Sequence, residues 1–319
     1  MFLKLFREGL LFAINSVVVN KLRTFLSLFG ITIGIFCIIS VFTVLDWLER
    51  SIRDSIDSMG SNVLYVQKIP WSMDGSFDYW DIIRWPTISL DDYQAVRSRC
   101  KKAAAVSLVV GQAEKVKYGN NIANDVVIAA TTDNLEKVIS LEVANGRYFS
   151  PFEFSGRSNV VVLGADIAEN LFEDTDPVGK EVKIAGRKCI IIGVLKKEGE
   201  GAISLSNIDQ LTIVPMNFGK GFINLRNRYS DNQMIIKAKP GISAQELSDE
   251  VTMILRASRR LKPAEENNFS VNTPTMLSQG FDSVFTLINA GGWLIGGFAI
   301  LVGGFGIANI MFVSVRERT

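Results

Sequence analysis

FDSVFTLINAGGWLIGGFAILVGGFGIANIMFVSVRERT, residues 281–319, is the stretch that decides the fold class of this chain. It has no charge from Ser283 to Val315, after which Arg316, Glu317 and Arg318 end the apolar run. A helix rises about 1.5 Å per residue, so this run is longer than a hydrocarbon core of roughly 30 Å requires. A helix that is apolar on every side is not a surface helix of a soluble protein. Residues 283–315 are therefore predicted to form a transmembrane helix whose surplus turns extend from the membrane as a stalk.

A second uncharged run, Thr24–Leu45, predicts another transmembrane helix near the start of the chain. Both runs contain glycines four residues apart, a spacing that lets helices approach closely. The density of glycine in the later run implies further membrane helices, from this protein or from a partner. The glycines predicted to pack helices together are Gly30, Gly34, Gly292, Gly296 and Gly303.

The basic residues near the two runs predict the orientation of the protein in the membrane. Lysine and arginine close to membrane ends stay in the cytoplasm. Both termini are therefore predicted to be cytoplasmic, and residues 46–282 to lie on the other side. The residues that carry this argument are Lys4, Arg7, Lys21 and Arg23 before the first run, and Arg316 and Arg318 after the second.

Residues 1–23 have apolar side chains at helical spacing, including Phe2, Leu5 and Phe6. This pattern favours an amphipathic helix that lies in the cytoplasmic interface of the membrane. The alternative is a simple extension of the first membrane helix.

The composition excludes several kinds of chemistry. The chain has no histidine, so His-based metal sites and Ser-His or Cys-His dyads are not expected. The phosphate-binding pattern Gly-x4-Gly-Lys-Ser/Thr does not occur, since Gly179-Lys180 is followed by Glu181. We therefore expect no catalytic residue, no metal and no bound cofactor, with any ATP held by a partner ATPase. A net charge of +1 does not indicate a nucleic-acid partner.

The acidic pairs and the cysteines allow simple structural interpretations. Asp91/Asp92 and Glu265/Glu266 are expected to be helix-dipole or surface carboxylates. Cys37 lies within the first apolar run, which leaves Cys100 and Cys189 in the exported domain. These two form a disulfide in one interpretation, and are separate, small buried residues in the favoured one.

The region between the membrane runs predicts an α+β domain. Apolar residues continue at helical spacing through 46–60, which predicts a stalk ended by Gly60. Two similar strand–helix–strand passages follow, at 61–110 and at 233–278, and they are expected to share one sheet covered by helices. Helix caps are predicted at Ser89 with Asp92, and at Ser243 with Glu246.

Residues 111–232 predict a mostly β subdomain inserted between the two passages. The segments Lys180–Ala185 and Lys188–Leu195 predict a hairpin with its turn at Gly186–Arg187. A strand at Asn159–Leu163 is expected to lead into a short helix at Asp166–Leu171.

Aromatic residues alternate with aspartates shortly after the first strand. This cluster predicts either a loop that contacts a substrate or partner, or a local hydrophobic plug. Its members are Trp71, Tyr79, Trp80 and Trp85.

Several segments, in this order and at these separations, resemble the permease subunits of MacB-type ABC transporters, a family that includes FtsX-like and lipoprotein-releasing permeases. The resemblance covers nearly the whole chain. It rests on KLRTFLSLFGITIGI (21–35), NGRYFS (145–150), VVLGADIAENLFEDTDPVGKEVKIAGRKCIIIGVL (161–195), RRLKPAEENNFSVNT (259–273) and LVGGFGIANIMFVSVRERT (301–319).

This resemblance implies a bacterial inner-membrane protein whose central domain, 46–282, is periplasmic, with a porter-like subdomain interrupted by a β-rich one. It also implies paired permeases, as homodimers or heterodimers, which work with a separate cytoplasmic ABC ATPase. In this family, motion driven by ATP passes through the stalk to the periplasmic domain (mechanotransmission). The sequence leaves open whether a periplasmic adaptor docks on that domain. The segment 316–319 then begins a cytoplasmic coupling segment, with Arg316, Glu317 and Arg318 at the ATPase.

The chain departs from the family in having two spans where such permeases usually have four. We therefore expect a fragment in preference to a truncated gene product. The rival hypothesis is a membrane-anchored sensor or receptor, which shares the span–sensor–span layout. A third is a domain that binds and hands over lipoproteins, which would show an apolar groove.

Overall fold

The computed structural model describes residues 21–60, 62–71, 79–156, 158–173, 175–199, 208–225, 227, 230 and 232–316. Their contacts divide the chain into two units, one of Ser51–Gly280 and one of the flanking segments up to Arg50 and from Phe281. The interfacial helix predicted for 1–23 lies almost entirely outside the described residues.

The helices and strands of the described residues are interspersed along the chain. In order they are α1 (Lys21–Ser58), β1 (Val63–Gln67), α2 (Tyr79–Arg84), α3 (Leu90–Arg99), β2 (Ala103–Tyr118), β3 (Asn121–Thr131), α4 (Leu135–Val138), β4 (Val143–Gly146), α5 (Pro151–Ser155), β5 (Val160–Leu163), α6 (Ala165–Phe172), β6 (Glu181–Ile184), β7 (Arg187–Leu195), a 3-10 turn (Ile208–Gln210), β8 (Leu211–Pro215), α7 (Met216–Gly219), β9 (Asn232–Ala238), α8 (Ala244–Ser258), β10 (Ser270–Asn272) and α9 (Pro274–Arg316).

The first long helix, α1, ends at Ser58 because Gly60 follows with a φ of +89°, a left-handed conformation that glycine adopts without strain. The last helix, α9, begins with Pro274, whose fixed φ suits the first helical turn. Each helix runs without a break from the domain end into its apolar run. Among the described residues, one helical segment, Thr32–Ser58, is long and apolar enough to cross a membrane. The crossing by α9, many of whose side chains are not described, stays a prediction.

One end of the sheet is built from four strands in the order β10-β1-β9-β2. Each neighbouring pair is antiparallel, so β1 runs parallel to β2 with β9 between them, and β9 runs parallel to β10 with β1 between them. Two strand–helix–strand units thus interleave, the split βαβ arrangement of ferredoxin-like folds. Neither unit could complete this sheet alone.

The rest of the sheet is formed by the segment between the two units. Beyond β2 the order continues β3-β8-β5-β7-β4, with β6 paired to both β2 and β7. The pairs β3–β8 and β5–β7 are parallel. The domain boundary predicted between 110 and 111 falls inside β2, which runs unbroken to Tyr118, because its later half pairs with β3 and β6.

The helices α3 and α8 are joined by a buried ion pair. Asp92 and Arg259 lie 2.8 Å apart, with side chains only 6% and 8% exposed. The same carboxylate accepts the backbone N–H of Ser89, which completes the predicted capping box. Asp92 thus lies in the first turn of α3, as expected of a helix-dipole carboxylate, but the expectation of a surface position was wrong, because its side chain is buried against Arg259. Its partner lies 167 residues away, so spacing along the sequence could not indicate the pair.

Several other local predictions can be compared with the structure. The hairpin β6–β7 is confirmed, but its turn lies at Ala185–Gly186, both with positive φ, and Arg187 belongs to the strand.

The cysteines Cys100 and Cys189 are free. The thiol of Cys100 contacts Glu250, while Cys189 is buried beside the carbonyl of Val182. The two thiols are therefore separate, as favoured, but only Cys189 is buried as expected, and Cys100 is partly exposed.

Replacement of Asp92 by asparagine tests the ion pair between the helices. Asparagine keeps an oxygen that accepts the Ser89 N–H but leaves the Arg259 cation buried without its counter-charge. We expect the free energy of unfolding of the detergent-solubilised protein to fall by about 3 kcal/mol, measured by denaturant titration. The matched control is Asp91→Asn, an exposed carboxylate in the same helical turn, which should cost at most about 1 kcal/mol. Equal losses in the two variants would contradict the role of the pair.

Candidate functional site

The two long helices attach to the sheet at neighbouring strands. The chain passes from α1 into β1 through Met59–Asn62, and from β10 into α9 through Thr273. β1 and β10 pair antiparallel, with Tyr65 opposite Asn272. We call Met59, Tyr65, Trp71 and Asn272 the junction, because these residues join the ends of both connections.

Asn272 holds the loop after β1 against the strand before α9. Its side-chain oxygen accepts the backbone N–H of Trp71 at 3.0 Å, and its amide nitrogen donates to the carbonyl of Ile69 at 2.9 Å. Asn272 itself is only 1% exposed, so its side-chain oxygen and nitrogen have no water as a substitute partner. This asparagine therefore links segments that stand 201 residues apart.

Tyr65 joins the end of α1 to the same place. Its hydroxyl donates to the carbonyl of Met59 at 3.0 Å, and its ring lies 5.0 Å from that of Trp71. Burial raises the pKa of Tyr65 to about 12, so the hydroxyl stays protonated and able to donate. The four residues of the junction include no reactive group. Their contacts are suited to coupling a displacement of the ends of α1 and α9 to the paired strands β1 and β10.

The aromatic residues predicted as one cluster occupy different environments. Trp71 packs in the junction, which agrees with a local plug. Trp80 is 68% exposed on α2, and Trp85 is half-buried. The side chain of Tyr79 is outside the described residues. A substrate or partner contact at Trp80 stays a prediction.

Within the unit formed by residues up to 50 and from 281, α1 and α9 touch through glycine and large apolar side chains. A Cβ at Gly292 would lie 2.7 Å from the ring of Phe42, and one at Gly296 would lie 3.8 Å from Ile38. Trp293 and Phe42 have ring centroids 6.3 Å apart. The missing side chain at Gly292 therefore provides the space that the Phe42 ring occupies.

The remaining predicted site residues have less defined surroundings. A Cβ at Gly34 would meet no atom within 4 Å. Gly30 and Gly303 lie in α1 and α9, but their surroundings are not described, and Arg316 is the last residue of α9. Glu317 and Arg318 lie outside the described residues. A contact of these charges with an ATPase stays a prediction.

Large apolar side chains project outward from the same helices. Phe36, Trp293 and Phe305 are 69%, 77% and 73% exposed. Such faces suit contact with lipid or with further helices.

Within the described residues, no group of three or more His, Cys, Asp and Glu is placed to hold a metal ion.

Asn272 and Tyr65 were not found by sequence reasoning. The only signal in the sequence is that Asn272 stands two residues before Pro274, at the start of a helix. A polar residue in that position predicts a helix cap and not a hydrogen bond to a distant segment. The partners of both residues become apparent only when β1 and β10 pair.

Residues 24–254 match the family model described as the MacB-like periplasmic core domain. Proteins named macrolide export ATP-binding/permease protein MacB are 28% identical in Marinobacter nauticus and 26% identical in Salmonella typhimurium, each over 98% of this chain and 46% of the relative. The chain thus spans about half the length of the curated relatives it matches.

Solved structures show the same fold. The periplasmic region of MacB from Actinobacillus actinomycetemcomitans matches with a TM-score of 0.57 at 15% identity, covering 72% of this chain and 97% of that one. The extracellular domain of the noncanonic ABC-type transporter YknZ from Gram-positive bacteria matches with a TM-score of 0.52 at 17% identity, covering 66% of this chain and 100% of that one.

Replacement of Asn272 by alanine tests the junction. The backbone N–H of Trp71 would lose its partner, at a cost of about 1–3 kcal/mol if it is left unsatisfied, while the carbonyl of Ile69 would keep its bond from the Gln67 amide at 3.0 Å. We expect the midpoint of thermal unfolding of the solubilised protein to fall by several degrees. Asn170→Ala, an exposed asparagine in α6, is the control and should leave the midpoint unchanged. An unchanged midpoint in Asn272→Ala would show that the loop is held by other contacts.

Enlarging Gly292 tests the contact between α1 and α9. We expect Gly292→Leu to lower the midpoint of thermal unfolding in detergent, because its side chain would occupy the space of the Phe42 ring. Addition of Phe42→Ala to the same protein should restore part of the loss, since it vacates that space. Gly291→Leu has no atom within 4 Å of its Cβ and is the control. Equal losses at 291 and 292 would contradict a specific contact.

Proposed function

This chain belongs to the family of the MacB-like periplasmic core domain, and we propose that it is the permease part of an ATP-driven transporter of the MacB type. The observation that supports this most strongly is the family match over residues 24–254, which includes the first apolar run and most of the domain that follows it. A sensor with the same span–sensor–span layout is not favoured, because the relatives that match 98% of this chain are named macrolide export ATP-binding/permease proteins.

ATP is proposed to be bound and hydrolysed outside residues 1–319. The sequence alone predicts an ATPase on a separate chain. The relatives' names, however, join ATP binding and permease in one protein. Either arrangement supplies the same motion to the cytoplasmic ends of the two membrane helices, and Arg316, Glu317 and Arg318 are proposed to contact the ATP-binding part.

The junction supports a mechanical role for the exported domain. α1 and α9 are each continuous from the apolar runs to the connections at Met59 and Thr273. A displacement of either helix end would therefore reach the paired strands β1 and β10 through Tyr65 and Asn272. We propose that this movement of the periplasmic domain drives export or extraction of the substrate.

The protein is proposed to lie in the bacterial inner membrane with its domain in the periplasm and both ends in the cytoplasm. The exposed apolar faces of α1 and α9 support packing against a second permease copy or further helices. A periplasmic adaptor is a further proposed partner. Macrolides are the substrates named for the curated relatives and are the first class to test.

The test is ATP hydrolysis by the full-length gene product. We expect the protein purified from membranes in detergent, together with whatever copurifies, to show vanadate-sensitive hydrolysis. The double reversal Arg316→Glu with Arg318→Glu should lower it about tenfold or more, because it opposes the charges proposed to contact the ATP-binding part. The control reverses the exposed Lys101 and Lys137 of the water-facing domain and should leave hydrolysis unchanged. Absence of ATP binding from the whole preparation would overturn the permease hypothesis.

A further inference from the structure

A polar cleft of about 690 Å³ lies on the water-facing domain, away from the junction residues. It is bounded by the end of α5, the start of β7 and the segment around α7. Its cations are Arg187 and Lys220, and no carboxylate stands among its lining residues in the described part of the chain. The charge of the cleft is therefore not neutralised from within, which favours an anionic occupant.

The guanidinium of Arg187 is held in place by the backbone beneath it. Its Nη2 donates to the carbonyl of Gly221 at 2.7 Å. A Cβ at Gly221 would lie 2.6 Å from Nη1 and 2.8 Å from Cζ, so the guanidinium occupies space that any larger residue would fill. The guanidinium has five N–H donors in one plane, and the bond to Gly221 leaves the others available for a ligand.

The second cation is positioned by a neighbouring amide. Lys220 Nζ lies 3.3 Å from the side-chain oxygen of Asn217. The amide nitrogen of Asn217 donates to the carbonyls of Phe154 and Ser155 at the end of α5, at 2.8 and 3.3 Å. Asn217 therefore ties the lysine to the opposite wall of the cleft.

We propose that this cleft binds a phosphate monoester carried on a polar, hydroxyl-bearing group. A guanidinium fork pairs bidentately with phosphate oxygens, and a lysine adds a point charge beside it. The volume exceeds what a phosphate group alone needs. The side-chain amide of Asn159 and the hydroxyl oxygen of Ser155, which donates to the carbonyl of Pro151 but can still accept, suit a sugar or glycerol more than an apolar compound. The proposal is independent of the permease role, since it rests on none of the residues assigned to that role.

Two probes distinguish a soluble source of this chemistry from a lipid one. Glucose 1-phosphate carries the phosphate monoester on a sugar. Phosphatidylcholine vesicles with phosphatidic acid carry it on a membrane lipid, with pure phosphatidylcholine vesicles as blank. Binding of the full-length protein in nonionic detergent is measured by calorimetry for the sugar and by flotation for the vesicles, and glucose without phosphate should not bind. Binding of either probe supports the site and identifies the source, and binding of neither overturns the proposal.

Variants separate this site from general attraction between charges. Arg187→Gln should weaken binding about tenfold or more, and Arg187→Lys should weaken it nearly as much, because lysine keeps the charge but lacks the fork. Gly221→Ala should also weaken binding, since it displaces the guanidinium without changing any charge. The control is Lys188→Gln, the next residue of the strand, whose charge is paired with Glu181 at 2.6 Å.

The outcomes are unambiguous when each variant has the far-ultraviolet circular dichroism and thermal midpoint of the wild type. Unchanged affinity in Arg187→Gln would overturn the proposal. An equal loss of affinity in Lys188→Gln would also overturn it, because binding would then follow net charge and not the cleft. A variant that does not fold is replaced by Arg187→Lys, which keeps size and charge.

Discussion

The antiparallel pairing of β1 with β10 is the constraint on which the rest of the water-facing unit depends. It brings Tyr65 opposite Asn272, although almost the whole domain separates them along the chain. Closing so long a loop costs conformational entropy. The ladder hydrogen bonds and the buried bonds of Asn272 to Trp71 and Ile69 offset that cost. Because the two long helices continue from these strands, the same pairing also sets where both helices leave the sheet.

A second long-range interaction holds the helices that cover this part of the sheet. Asp92 and Arg259 each lie at a helix end, and the pair is shielded from water. A buried ion pair contributes little net stability compared with well-packed apolar residues, but removal of one charge is costly. The arginine also donates to the backbone of Asn268 and lies over the ring of Phe269. These directional contacts fix the position of the end of α8 relative to the start of α3. Apolar packing alone would allow a wider range of relative positions.

Near Gly292, α1 and α9 pack together through complementary shape. Phe42 occupies space left open by Gly292, and no polar contact is needed to bring α1 and α9 together there. Lipid gives helices no hydrophobic reason to associate, so close packing of this kind is an important source of their attraction. A permease that transmits movement needs helices that stay in contact while their ends shift. A glycine–aromatic contact along the helix pair is compatible with that requirement.

The amino-acid sequence by itself determined the local and compositional features of this protein. The charge-free runs, the cap at Ser89, the helix end at Gly60 and the ordered motifs depend on neighbours along the chain, and the resemblance to MacB-type permeases is confirmed by the family match. Only the tertiary structure decided the partner of Asp92, the roles of Tyr65 and Asn272, the continuity of β2 across the predicted boundary, and the cleft at Arg187. The physical reason is that each of these depends on strand pairing between distant segments, and residue spacing carries no information about which distant strands pair.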